Sequence, residues 1–296
     1  MTIQTSSAQL REYYPVNPLH PVNMDKDVAA AVNCGDELVM EPAELNALRR
    51  NPNLRIVDVR SADQCPDGHI PGAVLLDQRQ LYRRDGDTQG LLPHPDEISR
   101  ILENIGIAPH HFVVAYDDGP GVDAARLLWT LDAIGHTGFA LLNGGFASWD
   151  FLEMEVADSP FSPVPGRYPV DDIVRGHADI HDVFMSLDEP GTVLVDTRSR
   201  AEFDGEDVRA KSGGHIPGAV HFDWETAVDM MDDGRLRSTD ELRHLLRGLG
   251  ITPDKRIVVY CQSNRRSAHT YLVLKWLGFQ NVEAYAGSWS EWGNLD

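Results

Sequence analysis

A chain of 296 residues exceeds the roughly 100–200 residues that one domain usually takes, so two domains, each with its own core, are expected. The net charge of −20, from 26 basic and 46 acidic residues, excludes a phosphate backbone or an anionic membrane as natural partners. Any anionic substrate then needs a local positive site.

Residues 1 to 38 match nothing later in the chain and read as an N-terminal arm without chemistry of its own. The start, Met1-Thr2-Ile3-Gln4-Thr5-Ser6-Ser7, lacks the charged region and apolar stretch of a secretory signal, and no run of about 18 apolar residues follows. A cytoplasmic location is expected. The three cysteines, Cys34, Cys65 and Cys261, form neither a disulfide framework nor a C-x-x-C pair, which fits a reducing compartment.

From here the chain repeats itself. Ile56-Val57-Asp58-Val59-Arg60 returns as Leu194-Val195-Asp196-Thr197-Arg198, and Gly68-His69-Ile70-Pro71-Gly72-Ala73-Val74 recurs unchanged as Gly214-His215-Ile216-Pro217-Gly218-Ala219-Val220. Val113 to Tyr116 returns as Ile257 to Tyr260, and Gly144 to Trp149 as Gly287 to Trp292. The order is kept throughout, so the halves are homologous domains. Extra residues in the second copy fall between Asp204 and Gly213, a predicted surface loop. Ala157 to Gly166, rich in Pro and Ser without apolar periodicity, reads as a stiff linker.

Within each unit, short β-branched runs such as Arg55–Val59 and Arg256–Tyr260 alternate with amphipathic stretches such as Thr239–Leu249, capped by Thr239 and stopped by Gly250. The fold class is therefore α/β: two tandem domains, each an open, mostly parallel sheet flanked by helices.

The chemistry concentrates after one strand. Tyr260 ends an apolar run, Cys261-Gln262-Ser263-Asn264-Arg265-Arg266 follows, and Ser267 to Leu277 has helical length. Reactive groups in open α/β sheets gather beyond the carboxyl ends of strands. A loop curling into a helix turns N–H groups inward and cradles negative charge, which with Arg265 and Arg266 lowers the pKa of a thiol at its first position. A buried free cysteine is ordinarily a small hydrophobe, but that role needs no flanking arginines.

Together, the paired Asp-x-Arg strand ends, both Gly-His-Ile-Pro-Gly-Ala segments, the Tyr260-Cys261 loop ending in Arg266-Ser267 and the closing Gly287-Ser288-Trp289-Ser290-Glu291-Trp292-Gly293-Asn294 resemble the tandem-domain rhodanese family of thiosulfate and 3-mercaptopyruvate sulfurtransferases. The resemblance covers roughly residues 38 to 296. It implies that the second domain is catalytic and that Cys261 takes a sulfur from a donor and passes it to cyanide or a thiol. Gln262, Ser263, Asn264, Arg265, Arg266 and Ser267 would line the substrate site, with Asp196 and Arg198 behind them. The units become an arm (1–38), an inactive domain (39–156), a linker (157–172) and a catalytic domain (173–296). Asp117 stands where Cys261 would be in the first copy, and a carboxylate cannot form a persulfide.

The loop follows neither the Cys-Arg-Lys-Gly-Val-Thr of well-known thiosulfate enzymes nor the Cys-Gly-Ser-Gly-Val-Thr of mercaptopyruvate enzymes. Its Arg266-Ser267 ending looks more like single-domain rhodaneses and a bacterial tandem subgroup labelled thiosulfate sulfurtransferases, so thiosulfate is the expected donor. Glu202 falls where many tandem members carry a donor-binding Arg, which transfers the expected anion site to Arg265 and Arg266. A thioredoxin-like reductant is a further expected partner. 3-Mercaptopyruvate is the alternative donor; cysteine phosphatase or arsenate reductase chemistry is a more distant alternative, since four residues separate Cys261 from Arg266, where phosphatase signatures have five. A protein sulfur relay differs only in its acceptor.

Other residues have plainer expectations. Asp58 and Asp196 anchor loops by pairing with the following Arg; His69 and His215 make a shared structural hydrogen bond. Trp149 and Trp292 lie in the core, with Trp289 a candidate to line the cleft. Cys34 and Cys65 are bystanders. No metal-ligand spacing or phosphate-binding Gly motif occurs, so neither cofactor nor metal is expected.

Overall fold

A computed structural model describes residues 38–61, 68–230 and 234–295. The arm, Cys34 and Cys65 lie outside the described residues.

The first domain runs β1 (Val39–Met40), α1 (Pro42–Leu48), β2 (Leu54–Asp58), β3 (Ala73–Leu75), β4 (Arg83–Asp85), β5 (Thr88–Leu91), α2 (Pro95–Asn104), β6 (Phe112–Tyr116), α3 (Val122–Ala133), β7 (Phe139–Leu142) and α4 (Gly145–Phe151). The second runs β8 (His177–Ala178), α5 (Ile180–Ser186), β9 (Thr192–Asp196), α6 (Arg200–Asp204), β10 (Val220–His221), α7 (Thr239–Gly248), β11 (Arg256–Tyr260), α8 (Arg266–Trp276), β12 (Val282–Tyr285) and α9 (Ser288–Trp292).

The sheets are ordered β1-β7-β6-β2-β3 and β8-β12-β11-β9-β10, the same topology twice, and every pairing within them is parallel. All five residues of β6 and four of the five in β11 are buried, as sheets covered on both faces require. The helix expected to be capped by Thr239 begins at that residue, so its cap lies one position earlier. Ser238 is the N-cap: its hydroxyl accepts the Glu241 N–H while the Glu241 carboxylate accepts the Ser238 N–H. Gly250, at φ +76°, follows the end of that helix. No helix among the described residues is long and apolar enough to cross a membrane.

The domains share one apolar core, in which Leu127, Leu128 and Leu131 of α3 join Tyr271, Leu272 and Leu274 of α8. The Tyr271 hydroxyl donates to Asp132 Oδ2 (2.5 Å) and the Trp129 indole to Gly176 O (2.7 Å), tying the halves together along this contact. Each domain also reaches over the other's strand ends. The antiparallel β4–β5 hairpin brings the Gln89 N–H to Ser290 Oγ (2.8 Å), and reciprocally the Leu236 N–H meets Asn143 Oδ1 (2.9 Å) and Arg235 Nη2 meets Ser148 Oγ (2.9 Å). The loop after β11 is thereby roofed by the first domain.

Candidate active site

Cys261 directly follows β11, with only 1% of its surface exposed. The turn that carries it needs unusual backbone: Asn264 is left-handed (φ +51°), and so is Ser288 (φ +53°) at the start of α9. Asparagine tolerates that region better than most residues; serine is held there by its side chain. The Ser288 hydroxyl accepts the Cys261 N–H (3.3 Å) and the Asn264 N–H (3.2 Å) while donating to Tyr285 O (2.8 Å). Trp289 N–H donates to Cys261 O and Ser290 N–H to Gln262 O, both at 2.9 Å. With these loop groups satisfied by α9, the N–H groups of Ser263 and Ser267 are left to face the sulfur.

Burial alone would push the Cys261 thiol up. Against it act the Arg266 guanidinium, the Ser267 hydroxyl 3.5 Å from Sγ, and the N–H groups of Ser267 and Ser263, and the net shift is downward. The net effect favours the thiolate over the thiol relative to a free cysteine. That same cradle suits the charge of a persulfide.

The loop's two arginines are already engaged. Arg266 grips Glu202 with both Nη atoms (2.6 and 2.8 Å), and Arg265 forms a two-point pair with Asp123 of α3, its Nη2 lying 2.7 Å from Oδ2. Burial pushes the Glu202 carboxyl up, but Arg266 and the Ser199 N–H and hydroxyl outweigh it and hold it down at about 2. Glu202 is therefore a permanent anion beside the cysteine, and Arg266 divides its charge between the carboxylate and the sulfur. Gln262 donates to Arg209 O (3.3 Å), Asn264 Oδ1 receives the Ser267 hydroxyl (2.7 Å), and Ser263 faces the first domain.

In the twin loop the Asp117 carboxylate occupies the anion position: Oδ1 accepts N–H groups from Gly119 (3.1 Å) and Gly121 (2.9 Å), and Oδ2 accepts that of Asp123 (2.8 Å). The ring of N–H groups in the first domain is filled by its own side chain; burial and the nearby Asp123 push that carboxyl up.

Three contributors, two of them from the first domain, escaped sequence reasoning. Arg126 on α3 is fully buried and has no carboxylate partner among the described residues; it donates to the carbonyls of Leu81, Leu91 and the Cys261-loop residue Asn264 (3.4 Å), and stacks over Tyr82 and Trp129. Burial lowers it to about 10, opposed by the negative potential of Tyr82 and Cys261. A charged residue inside the run Val122-Asp123-Ala124-Ala125-Arg126-Leu127-Leu128-Trp129 was the available signal. Ser288 was signalled by the repeat, since its counterpart Gly145 is also left-handed (φ +57°). Gly90 was signalled by Gly234, its partner at the offset that relates Tyr116 to Tyr260.

A Cβ on Gly90, itself at φ +79°, would lie 2.1 Å from Ser263 O. Gly90→Ala must therefore displace the Ser263 backbone that faces the sulfur. We expect a loss of about 1–3 kcal/mol in urea unfolding and a fall on the order of tenfold or more in kcat/KM for sulfur transfer. An unchanged rate would show that the loop tolerates the shift.

The strand-end pairs lie behind the loop. Arg198 binds Asp196 through Nε (3.0 Å) and Nη2 (2.6 Å), caps Gly214 O, and sits 4.4 Å over the ring of Trp289, the residue whose backbone N–H holds Cys261 O. Asp58 and Arg60 repeat the arrangement. The expected shared histidine bond is not shared: His69 Nδ1 pairs with Asp58 Oδ2 (2.8 Å), whereas His215 Nδ1 meets Phe203 O (2.8 Å) and stacks on that ring. The insertion after α6 displaces the second segment enough to change its partner. Trp149 is core as expected, and Trp289 is core rather than cleft. Trp292 is only partly buried, against Phe184. Among the described residues no three His, Cys, Asp or Glu side chains converge as a metal site.

With this geometry in place, two segments, 41–151 and 182–295, match the model of the Rhodanese-like domain. The chain is 39% identical to a thiosulfate sulfurtransferase of Azotobacter vinelandii, covering 87% of this chain and 94% of that protein. It is 30% identical to the 3-mercaptopyruvate sulfurtransferase of Escherichia coli K12, covering 82% and 90%. The crystal structure of SseA from Escherichia coli, described as showing the rhodanese fold of 3-mercaptopyruvate sulfotransferases, superposes with a TM-score of 0.75 at 28% identity over 86% of this chain and all of that one.

Proposed function

The chain belongs to the rhodanese family of sulfurtransferases, and from that premise we propose that it moves the outer sulfur of thiosulfate to cyanide or a thiol through a persulfide on Cys261. The observation that carries this reading is the buried Cys261 sulfur inside a ring of inward N–H groups that lowers its pKa, set against a twin ring that holds a carboxyl group. The Cys261 thiolate attacks the outer sulfur, the sulfur–sulfur bond of the donor breaks, and sulfite leaves with its electron pair. The persulfide charge then rests on the Ser263 and Ser267 N–H groups, the Ser267 hydroxyl and Arg266. Attack by cyanide on the outer sulfur releases thiocyanate and returns the thiolate. In this reading Gln262 and Asn264 shape the ring, and Asp196 and Arg198 brace it through Trp289. A thioredoxin-like reductant could serve as a thiol acceptor, and the need for a reduced Cys261 carries with it a cytoplasmic setting.

Thiosulfate is favoured as donor by the higher identity to the Azotobacter enzyme, 39% against 30% for the mercaptopyruvate enzyme. Initial rates with the two donors under one acceptor test it. We expect kcat/KM for thiosulfate to exceed that for 3-mercaptopyruvate by at least about tenfold, with ping-pong kinetics. A mercaptopyruvate preference would reverse the assignment.

A further inference from the structure

A second opening meets the catalytic loop from the side of the first domain. Between the β4–β5 hairpin and the loop lies a cleft of about 320 Å³ lined by Tyr82, Arg84, Gln89, Ser263 and Arg265 among others. Three features mark it as built for a ligand. First, it gathers arginines in a chain of net charge −20: Arg84 has no carboxylate partner among the described residues, only the Gln89 amide oxygen at 3.3 Å, while Arg265 spends Nε and Nη2 on Asp123 and leaves Nη1. Arg79, paired with Asp77, stands at the rim. Second, the Tyr82 hydroxyl is buried and meets no partner. A buried hydroxyl left unpaired is costly, so a group in this cleft that bonds to it recovers that cost. Third, Ser263 is a wall of both the cleft and the sulfur cradle, and the charge of Cys261 is felt at Tyr82, so a molecule held here lies next to the loop that carries the sulfur.

The volume sits at the lower end of small-molecule sites and is generous for a bare inorganic sulfur anion. Guanidinium groups suit a carboxylate; the phenol and the Gln89 amide suit its remaining lone pairs. Resting on the functional reading above, we infer that this cleft binds the sulfur acceptor, a small thiol bearing at least one carboxylate. The acceptor's thiolate attacks the outer sulfur of the Cys261 persulfide, the persulfide bond breaks with its electron pair returning to Cys261, and the proton lost by the acceptor ends on the new perthiol.

The test uses the full chain, wild type and Arg84→Gln, an exposed position outside the sulfur cradle. Protein loaded with sulfur from thiosulfate is discharged with mercaptosuccinate or with 2-mercaptoethanol, compared at equal thiolate concentration. Wild type should show a KM for mercaptosuccinate about tenfold lower than for 2-mercaptoethanol, and Arg84→Gln should erase that preference without slowing sulfur uptake. Tyr82→Phe should weaken it several-fold. In parallel, succinate should slow alkylation of Cys261 by iodoacetamide in wild type and not in Arg84→Gln. Equal KM values for the two thiols in wild type would overturn the inference, as would an Arg84→Gln variant that loses sulfur uptake and keeps thiol preference, since the cleft would then hold the donor. If no donor loads the protein, the functional reading fails; succinate protection lost in Arg84→Gln then still upholds an anion-binding cleft, and its absence sinks that as well.

Discussion

Cys261→Ser is expected to keep the fold and to lose sulfur uptake by on the order of a thousandfold or more, because a serine hydroxyl in the same cradle stays protonated at neutral pH and is the weaker nucleophile. Intact mass after incubation with thiosulfate should show one added sulfur on wild type and none on the variant. The duplication supplies a control within the same molecule. Asp117→Ala empties the twin ring and leaves the N–H groups of Gly119, Gly121 and Asp123 without their carboxylate. Unpaired buried donors cost about 1–3 kcal/mol each, so this variant should unfold at lower urea while still taking up sulfur at Cys261. If Asp117→Ala lost uptake at unchanged stability, the first domain would share in the chemistry, and the division of labour between the halves would be wrong.

The sheet topology and the loop that cradles Cys261 were legible because both rest on local signals. A β-branched run buried on both faces, as in Phe112 to Tyr116 or Ile257 to Tyr260, announces a central parallel strand, and the repeat fixes its twin. A cysteine between such a strand and a helix, with two arginines following, announces an anion cradle. What remained hidden depends on contacts between residues far apart in the chain. Nothing local to Arg265 discloses that Asp123, 142 residues away, takes two of its donors, nor does Glu202 disclose that it turns toward Arg266. The expectation of two available cations at the loop therefore became one of two ion pairs. His215 is the same case in miniature: its segment is identical to that of His69, but a longer loop before it exchanges the Asp58-type partner for the Phe203 carbonyl. Identical sequence fixes the local turn; the surroundings fix which atom it bonds.

How Arg266 shares its charge decides how strongly the sulfur is activated, and Arg266→Met separates the possibilities. The variant removes the partner of Glu202, whose side chain is fully buried, leaving that carboxylate with only the Ser199 groups and Arg209 Nη1 at 3.6 Å. Breaking one side of a buried pair costs about 3–5 kcal/mol, and the partial access of Arg266 to solvent places the expected loss near the lower figure. Glu202→Gln combined with Arg266→Met should recover most of it, because no charge is then stranded. In the wild type the pair's contribution is complete above about pH 4.5 and is lost as pH falls through about 2, so its removal should flatten acid unfolding in that window. Reactivity answers a different question from stability. With Arg266 gone, burial presses on the thiol with less opposition, and the pH profile of Cys261 alkylation should move upward in both the single and the double variant. Glu202→Gln alone frees the guanidinium, so its profile should move downward and its KM for an anionic donor should fall several-fold. A profile that stays put in Arg266→Met would mean that the arginine's charge is spent on Glu202, and that the N–H groups of Ser263 and Ser267 with the Ser267 hydroxyl hold the thiolate by themselves.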